Sequence, residues 1–407
     1  MQGANRLSGF IRPVSEYVLE QLAQQWRLLE SGEQVPFSLS WCWMGSWLSL
    51  VQRKTKVFVF ECRNGSEVVG LCFLTLCPAT RLKGHLSFMQ LQLNEYLADG
   101  CDMAMAYNGL LCESRYLEGA WECFFRTAME WNKVWDEISL RALSEDQYRV
   151  AARQSAKLRF ETDRIDKTWR LEFDASFPSL EALIGSFKRK SRQQLRQTLA
   201  AYSELGALTI TAAATVDEAL ELFLKMEALH TQRWEKVGKE GSYANPHWVA
   251  FHTNLIKSCF GTGQVQALEI CVAGNPIGYL YGHVYNRTVY MHQTGFAQTD
   301  STKFRPGYIS HCLAMLLNLE RGNMTYDFLP DTQDSYKRFF VSEGADVFWV
   351  RAVRPRLKFL YEKGVRKSVS ALQSAVSRYR GRSFWGKSVQ QVVPANALRG
   401  LGSDRCT

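Results

Sequence analysis

No C-x-x-C pair occurs in the 407 residues, nor does a G-x-x-x-x-G-K-[ST] loop, a G-x-G-x-x-G after a strand or a G-x-S-x-G elbow. Nucleotide hydrolysis on a P-loop, Rossmann redox chemistry and serine hydrolysis therefore lack the backbone features they need. Histidines number seven, and none pairs with another at metal spacing on a helix: His247 and His252 are five apart, off one face. No metal is expected. Long apolar runs are missing too, so no segment reads as a membrane span. Met1–Phe10 lacks a charged stretch followed by an apolar one, and no secretory signal is read there. The eleven cysteines are scattered. Cys72, Cys77, Cys259 and Cys271 sit inside apolar runs and are expected to be buried, reduced thiols, which fits a reducing cytoplasm.

What is present has the balance of a folded protein, 46% hydrophobic and 22% charged. The net charge of +9 is uneven. Residues 351–407 carry thirteen Lys or Arg against Glu362 and Asp404, a net of +11, which leaves the rest near −2. That distribution argues against DNA binding by the body. It leaves a tail suited to an anionic surface or partner, including peripheral contact at the inner membrane.

Two halves share one order of elements. In the first, helical signals over Val14–Glu30 and a Trp-rich segment from Trp41 to Trp47 precede three strand-like runs, Val57–Cys62, Val68–Cys77 and Gly84–Leu93. The turn Arg63-Asn64-Gly65-Ser66 marks a hairpin. A helix over Tyr116–Trp131 and a strand over Glu137–Leu143 follow. In the second, the pattern predicts helices over Leu180–Leu205, closed by Gly206, and Val216–Lys236, opened by Thr215 with Glu218 as a capping box. Strands Val265–Val272, Ile277–Tyr285 and Thr288–Phe296 form a meander. A helix over Tyr308–Arg321 and strands Thr325–Leu329 and Val347–Val353 complete it. This implies an α/β (α+β) fold of two tandem halves, each a mixed, largely antiparallel sheet flanked by helices. The expected borders are 1–160, 161–354 and a basic, partly helical tail, 355–407.

Several motifs carry a family resemblance: Lys188-Arg189-Lys190-Ser191-Arg192 with Arg196, Leu229-His230 with Arg233-Trp234, and Phe304-Arg305-Pro306-Gly307-Tyr308. The most specific is Tyr326-Asp327-Phe328-Leu329-Pro330-Asp331, followed by Tyr336-Lys337-Arg338-Phe339. Over roughly residues 180–345 the chain resembles the GCN5-related N-acetyltransferases, in their BioF-like and CelD-type branch, which is similar to the FemAB peptidyltransferases. The first half shares the architecture alone. One departure stands out: where that family usually shows glycine after the Asp-Phe-Leu strand, this chain has Pro330-Asp331-Thr332.

The resemblance implies acyl-CoA, above all acetyl-CoA, as co-substrate. Its diphosphate would lie on the helix opening at Pro306, where Gly307 and Tyr308 offer backbone amides and Arg305 a permanent cation. Taken alone, that segment is an ordinary Pro-Gly helix start. Lys188, Arg192 and Arg196 fall at i, i+4 and i+8 and read either as a grip on a phosphate-bearing ligand or as a solvated face. Asp327, in an apolar strand end, reads as a general base or as one side of an ion pair, and Lys337 as a group that polarises a carbonyl or holds the acceptor. His292 and Gln293 lie on the third meander strand, which in this fold borders the acyl chain. Arg233 and Trp234 read as a mobile cover or a packed cation–π pair, with Tyr336 beside the acceptor.

These observations lead to one expectation, transfer of an acyl group from acyl-CoA to a small-molecule or saccharide amine, linked by resemblance to cellulose or exopolysaccharide synthesis. Two others stand beside it. Aminoacyl transfer from charged tRNA, as in FemAB relatives, would need a basic groove that a body near −2 does not supply. A non-catalytic scaffold of a polysaccharide-synthesis complex would use the basic tail, whose stripe Leu357, Leu360, Tyr361, Val365 and Val369 could dock.

Overall fold

The computed structural model describes residues 6–32, 35–103, 105–155, 157–173, 177, 179–332, 335–365, 367 and 368. Met1–Arg354 form one compact unit and Pro355–Thr407 a second. In the second unit residues 357–365 are helical, with Leu357, Leu360 and Tyr361 exposed. Residue 366 and the tail from Val369 on lie outside the described residues. Among the described residues no helix is long and apolar enough to cross a membrane.

The chain opens with β1 (Ser8–Pro13), α1 (Leu19–Ser31) and α2 (Trp41–Val51). Then come β2 (Val57–Asn64), β3 (Glu67–Arg81), β4 (Leu86–Leu93), β5 (Leu111–Cys112), α3 (Leu117–Glu130), β6 (Glu137–Ser144), α4 (Glu145–Gln154) and β7 (Arg159–Lys167). The second run is β8 (Arg170–Glu172), α5 (Leu180–Ser186), α6 (Arg189–Leu205), β9 (Leu208–Ala212), α7 (Val216–Lys236) and α8 (Pro246–Cys259). It ends with β10 (Val265–Val272), β11 (Asn275–Tyr285), β12 (Thr288–Phe296), α9 (Pro306–Glu320), β13 (Thr325–Asp327) and β14 (Asp346–Val353). One sheet runs β1-β2-β3-β4-β6-β14-β7, with β5 on β3, and the other β8-β13-β12-β11-β10-β9. The fold is the mixed α/β arrangement of two helix-flanked sheets.

Local chemistry explains the pieces that position the site. Thr215 Oγ1 accepts the Glu218 N–H at 3.2 Å and starts α7 where its capping box places it. Asn286 and Arg287, at φ 48° and 57°, make the tight turn between β11 and β12. The helix expected over Leu180–Leu205 is instead broken. Phe187 leaves the helical region (ψ 163°) to bury its ring, and α6 restarts after Lys188.

The strand Val347–Val353, placed in the second half by sequence order, joins the first sheet. β14 pairs antiparallel with β6 and β7 on its two sides. Period-two alternation identifies a strand but not its neighbours, and a border at 160/161 falls inside β7.

One hydrophobic core is common to both halves. Trp26, Trp43 and Trp47 of the first pack with Phe223, Trp248, Phe251 and Tyr281 of the second. At about 1.5–3 kcal/mol for each large side chain buried, this contact binds the halves firmly. A Cys42–Cys259 disulfide joins α2 to α8, with Cα atoms 6.1 Å apart. This corrects the free thiol expected at Cys259: the partner lies 217 residues away, a pairing that no spacing rule reveals. Cys72 and Cys77 are buried free thiols, and Cys271 is a half-buried one.

Candidate active site

The site begins where two parallel strands part. β12 and β13 pair only from Thr288–Thr325 to Tyr290–Asp327. Beyond that, Met291–Phe296 continue along β11 while the chain after Asp327 turns away. A bulge opposite Tyr281 and Gly282 leaves His292 as the extra residue in β12, outside the ladder. Side chains alternate across this sheet: Tyr281, His283 and Tyr290 face the common core, whereas Leu280, Val289 and Met291 face α9 and α5.

Asp327 is fully buried and saturated. Its Oδ2 accepts the Tyr107 hydroxyl at 2.8 Å and Arg170 Nε at 2.6 Å, and its Oδ1 accepts the Leu329 N–H at 2.7 Å. The ion-pair alternative for Asp327 is thus met by Arg170 and not by Lys337. Lys337, 8% exposed, donates to the Leu329 carbonyl at 3.0 Å and pairs with Asp331 at 3.3 Å. Burial holds its ammonium below the usual lysine range, against the pull of Asp331. Burial would raise Asp331, but the Lys337 cation and hydrogen bonds from Ser335 and Thr332 bring it below its ordinary value.

The Leu329 peptide is therefore gripped from both ends, by Asp327 on its N–H and by Lys337 on its carbonyl. Leu329 itself sits at φ 64°, a left-handed conformation costing a non-glycine residue roughly 1–2 kcal/mol. Two charged side chains hold that strain in place.

At the start of α9, Tyr308 and Ile309 turn their N–H groups onto the Arg305 carbonyl. The Gly307 N–H has no acceptor among the described residues. A Cβ on Gly307 would lie 2.9 Å from the Phe296 ring, so only glycine fits between α9 and the end of β12. Arg305 reaches Gln194 of α6 at 3.3 Å and lies 5.6 Å from the Tyr308 ring centre. Tyr308 stacks on Phe339 at 3.8 Å, fastening α9 to the 3-10 turn Tyr336–Phe339.

The expected basic stripe is not continuous. Lys188 precedes α6, Arg192 donates to the Gly185 carbonyl at 3.0 Å, and Arg196 is paired with Glu181. The family's basic helix therefore leaves Lys188 and its exposed neighbours Arg189 and Lys190 facing solvent.

Arg233 and Trp234 do not form a cation–π pair with each other; the cation near Trp234 is Lys239, at 5.9 Å. Arg233 acts on Tyr336 and His311 through its charge. Gln293 is occupied: its Nε2 donates to Ser242 Oγ at 3.1 Å and its Oε1 accepts the Thr294 N–H. His230 accepts the Ser242 N–H on Nε2, so its Nδ1 carries the proton and donates to the Thr294 carbonyl. These bonds hold the loop after α7 over the end of β12.

His292 lies apart from the Asp327–Lys337–Asp331 network. Its ring sits 4.4 Å from that of His252, 5.5 Å from His283 and 5.7 Å from Trp43, and burial pushes it down to about 4. It is neutral at physiological pH and a weak base.

Three residues that carry no sequence signal complete the site. Tyr107 and Arg170 come from outside every motif. His311, one helical turn into α9, is fully buried beside Phe328 (5.0 Å) and Tyr336 (6.3 Å). Its Nδ1 meets the Tyr326 hydroxyl at 2.9 Å and its Nε2 has no partner. Burial, then the cations of Lys337 and Arg233, push it down to about 3. Among the described residues no cluster of His, Cys, Asp or Glu could hold a metal ion.

Comparison with known proteins bears on the fold. The family model described as an acetyltransferase (GNAT) domain matches residues 189–338. No curated protein matches by sequence. Among solved structures, a conserved protein of unknown function from Bacteroides thetaiotaomicron VPI-5482 is similar at 12% identity and TM-score 0.51, over 84% of this chain and 100% of that one. FemX is similar at 10% identity and TM-score 0.49, over 82% and 96%. A tandem GNAT protein from the clavulanic acid biosynthesis pathway is similar at 12% and 0.45, over 85% and 98%. Residues 189–338 thus match an acetyltransferase (GNAT) domain, and the chain as a whole shares its fold with the Bacteroides protein.

Proposed function

We propose that this protein moves an acyl group, acetyl in the first instance, from its coenzyme A thioester to an amine of a saccharide-type acceptor. The observation that carries the donor assignment is the divergence of β12 from β13 next to a free Gly307 N–H and the Arg305 guanidinium. A helix N-terminus with one uncommitted amide and an adjacent arginine suits a diphosphate. GNAT domains typically use acyl-CoA, and the residues here fit that co-substrate.

In this reading each residue has a separate task. Gly307 and Arg305 bind phosphate. The bulged backbone at His292 presents donors to the carbonyl oxygen that gains charge during attack. Asp327 and Lys337 set the shape of the Leu329 loop along one wall of the gap and do not themselves move protons. Tyr336, whose hydroxyl burial raises to about 12 against the Arg233 charge, keeps its proton at neutral pH and can hand it to the departing thiolate. Similarity to the CelD type favours an acceptor of exopolysaccharide metabolism.

Titration calorimetry with acetyl-CoA and longer acyl-CoAs tests the donor half. Saturable binding is expected, weakened at least tenfold in Arg305→Ala. If no coenzyme A species binds the wild-type chain, the proposal falls. A panel of amino sugars, scored by thiol release, tests the acceptor.

A further inference from the structure

The two sheets contain the same parting of strands, and the chain treats them differently. In the first sheet β4 and β6 pair in parallel only over Gln90–Gln92 and Glu137–Ser139. The gap beyond is filled by the chain itself. Asn108 N donates to the Ala142 carbonyl at 2.8 Å on the β6 side, and Asn108 Nδ2 donates to the Leu93 carbonyl at 2.8 Å on the β4 side. Asn94 closes the end: its Nδ2 bonds Asn108 Oδ1 and the Gly109 carbonyl, both at 2.9 Å, and its Oδ1 takes the Phe73 N–H. Both asparagines are at most 3% exposed. A donor thioester has no room where Asn108 already satisfies both strand edges. In the second sheet, among the described residues, no strand pairs with Met291–Phe296 on the β13 side.

The residue before the plug is Tyr107. Its ring leaves the first gap and enters the common core, and its hydroxyl donates to Asp327 Oδ2 at 2.8 Å, across 220 residues of sequence. Arg170 binds the same oxygen and lies 5.0 Å from the Tyr107 ring centre. Through Asp327 Oδ1 that bond reaches the Leu329 N–H, and with it the strained peptide just beyond the last β12–β13 pair, Tyr290–Asp327. We propose that Tyr107 is a positioning residue for acyl transfer: the segment that blocks the first half's own gap serves to fix the catalytic loop of the second half. This rests on the acyl-CoA reading above for its kinetic consequence, but not for its structural one.

Tyr107→Phe removes one oxygen and keeps the ring, so the core contacts survive. Two measurements decide the matter. Hydrogen exchange at the Leu329 amide is expected to accelerate at least tenfold in Tyr107→Phe, while the amide of Asn108 in the plug keeps its wild-type protection. Thiol release from acetyl-CoA is expected to lose about tenfold in kcat, the scale of one hydrogen bond to a buried charge, with KM for acetyl-CoA within twofold.

A residue that only stabilises the fold would speed exchange across the whole core and leave kcat per folded molecule unchanged; either result overturns the proposal. Unchanged exchange at Leu329 overturns it as well. If the wild-type chain neither binds acetyl-CoA nor releases thiol, the donor reading has failed, and the exchange data alone still decide whether Tyr107 fixes the loop.

Discussion

Glu95 offers the sharpest quantitative test of the common core. It is 5% exposed and walled by Trp43, Trp47, Met103 and Met105. Its Oε2 has no partner, and the nearest cation, Arg141, stands 3.6 Å from Oε1 while binding Asp102 at 2.8 Å. Desolvation raises its carboxyl from 4.5 to about 7, with Arg141 opposing and Asp102 assisting. Between pH 4.5 and 7 the folded chain keeps this proton and the unfolded chain has lost it. Folding then binds a proton, so this group makes stability fall as pH rises through that window. The move from 4.5 to about 7, at about 1.4 kcal/mol for each tenfold change in proton affinity, gives a loss of about 3 kcal/mol, complete above pH 7.

Glu95→Gln keeps the shape and cannot ionise. Its amide adds unpaired donors costing about 1 kcal/mol, so the variant should exceed wild type by about 2 kcal/mol at pH 8 and fall below it at pH 4.5. Urea unfolding at half-unit steps from pH 4.5 to 8, taken as the difference between the two proteins, cancels every other titrating group. A difference that is flat with pH would refute the desolvation argument. One of opposite slope would show that Arg141 governs the carboxylate.

Other perturbations probe separate links. Gly307→Ala pushes a methyl into Phe296 at the start of α9 and is expected to weaken acetyl-CoA binding at least tenfold by calorimetry, with thermal stability reduced by about 1–3 kcal/mol from overpacking. Cys42→Ser opens a loop of more than 200 residues between α2 and α8; denaturant titration should show a loss of about 3–5 kcal/mol, and reducing agent should reproduce it on the wild-type chain but not on the variant. His292→Phe removes a group that is neutral when folded above about pH 4 and charged when unfolded below 6.5. Its wild-type counterpart therefore loses stability as pH falls from 6.5 toward 4, by at most about 3 kcal/mol, and the variant's unfolding curve should lack that component.

How much of this could be read from the sequence depends on how far each feature reaches. Features within one turn were legible. Thr215 and Glu218 mark the start of α7, Asn286-Arg287 marks the β11–β12 turn, and Pro306-Gly307 marks the opening of α9. The Asp-Phe-Leu strand and the Tyr-Lys turn were legible as a motif, and the structure brings Asp327 and Lys337 to one peptide. What they share, the strained Leu329, could not be foreseen, because a leucine in the left-handed region looks like any other leucine in a sequence. Tyr107 lies in a segment without periodicity, and its partner is 220 residues on. β14 shows a strand pattern that is silent about which sheet receives it. The histidines of α8, β11 and β12 share a cluster only because the sheet face and α8 pack together, and no spacing along the chain encodes that.

The asymmetry between the gaps also explains why the halves are inseparable. A second half on its own would lose the phenol that holds Asp327. It would also expose Phe223, Trp248, Phe251 and Tyr281, whose burial depends on Trp43 and Trp47. β14 would lose both of its neighbours, since β6 and β7 belong to the first sheet. An acyltransferase gap needs one rigid wall, and a short strand such as β13, three residues long, cannot supply it from its own ladder. The first half supplies that rigidity at the cost of its own gap: the asparagine plug that shuts one parting of strands delivers the tyrosine that stiffens the other.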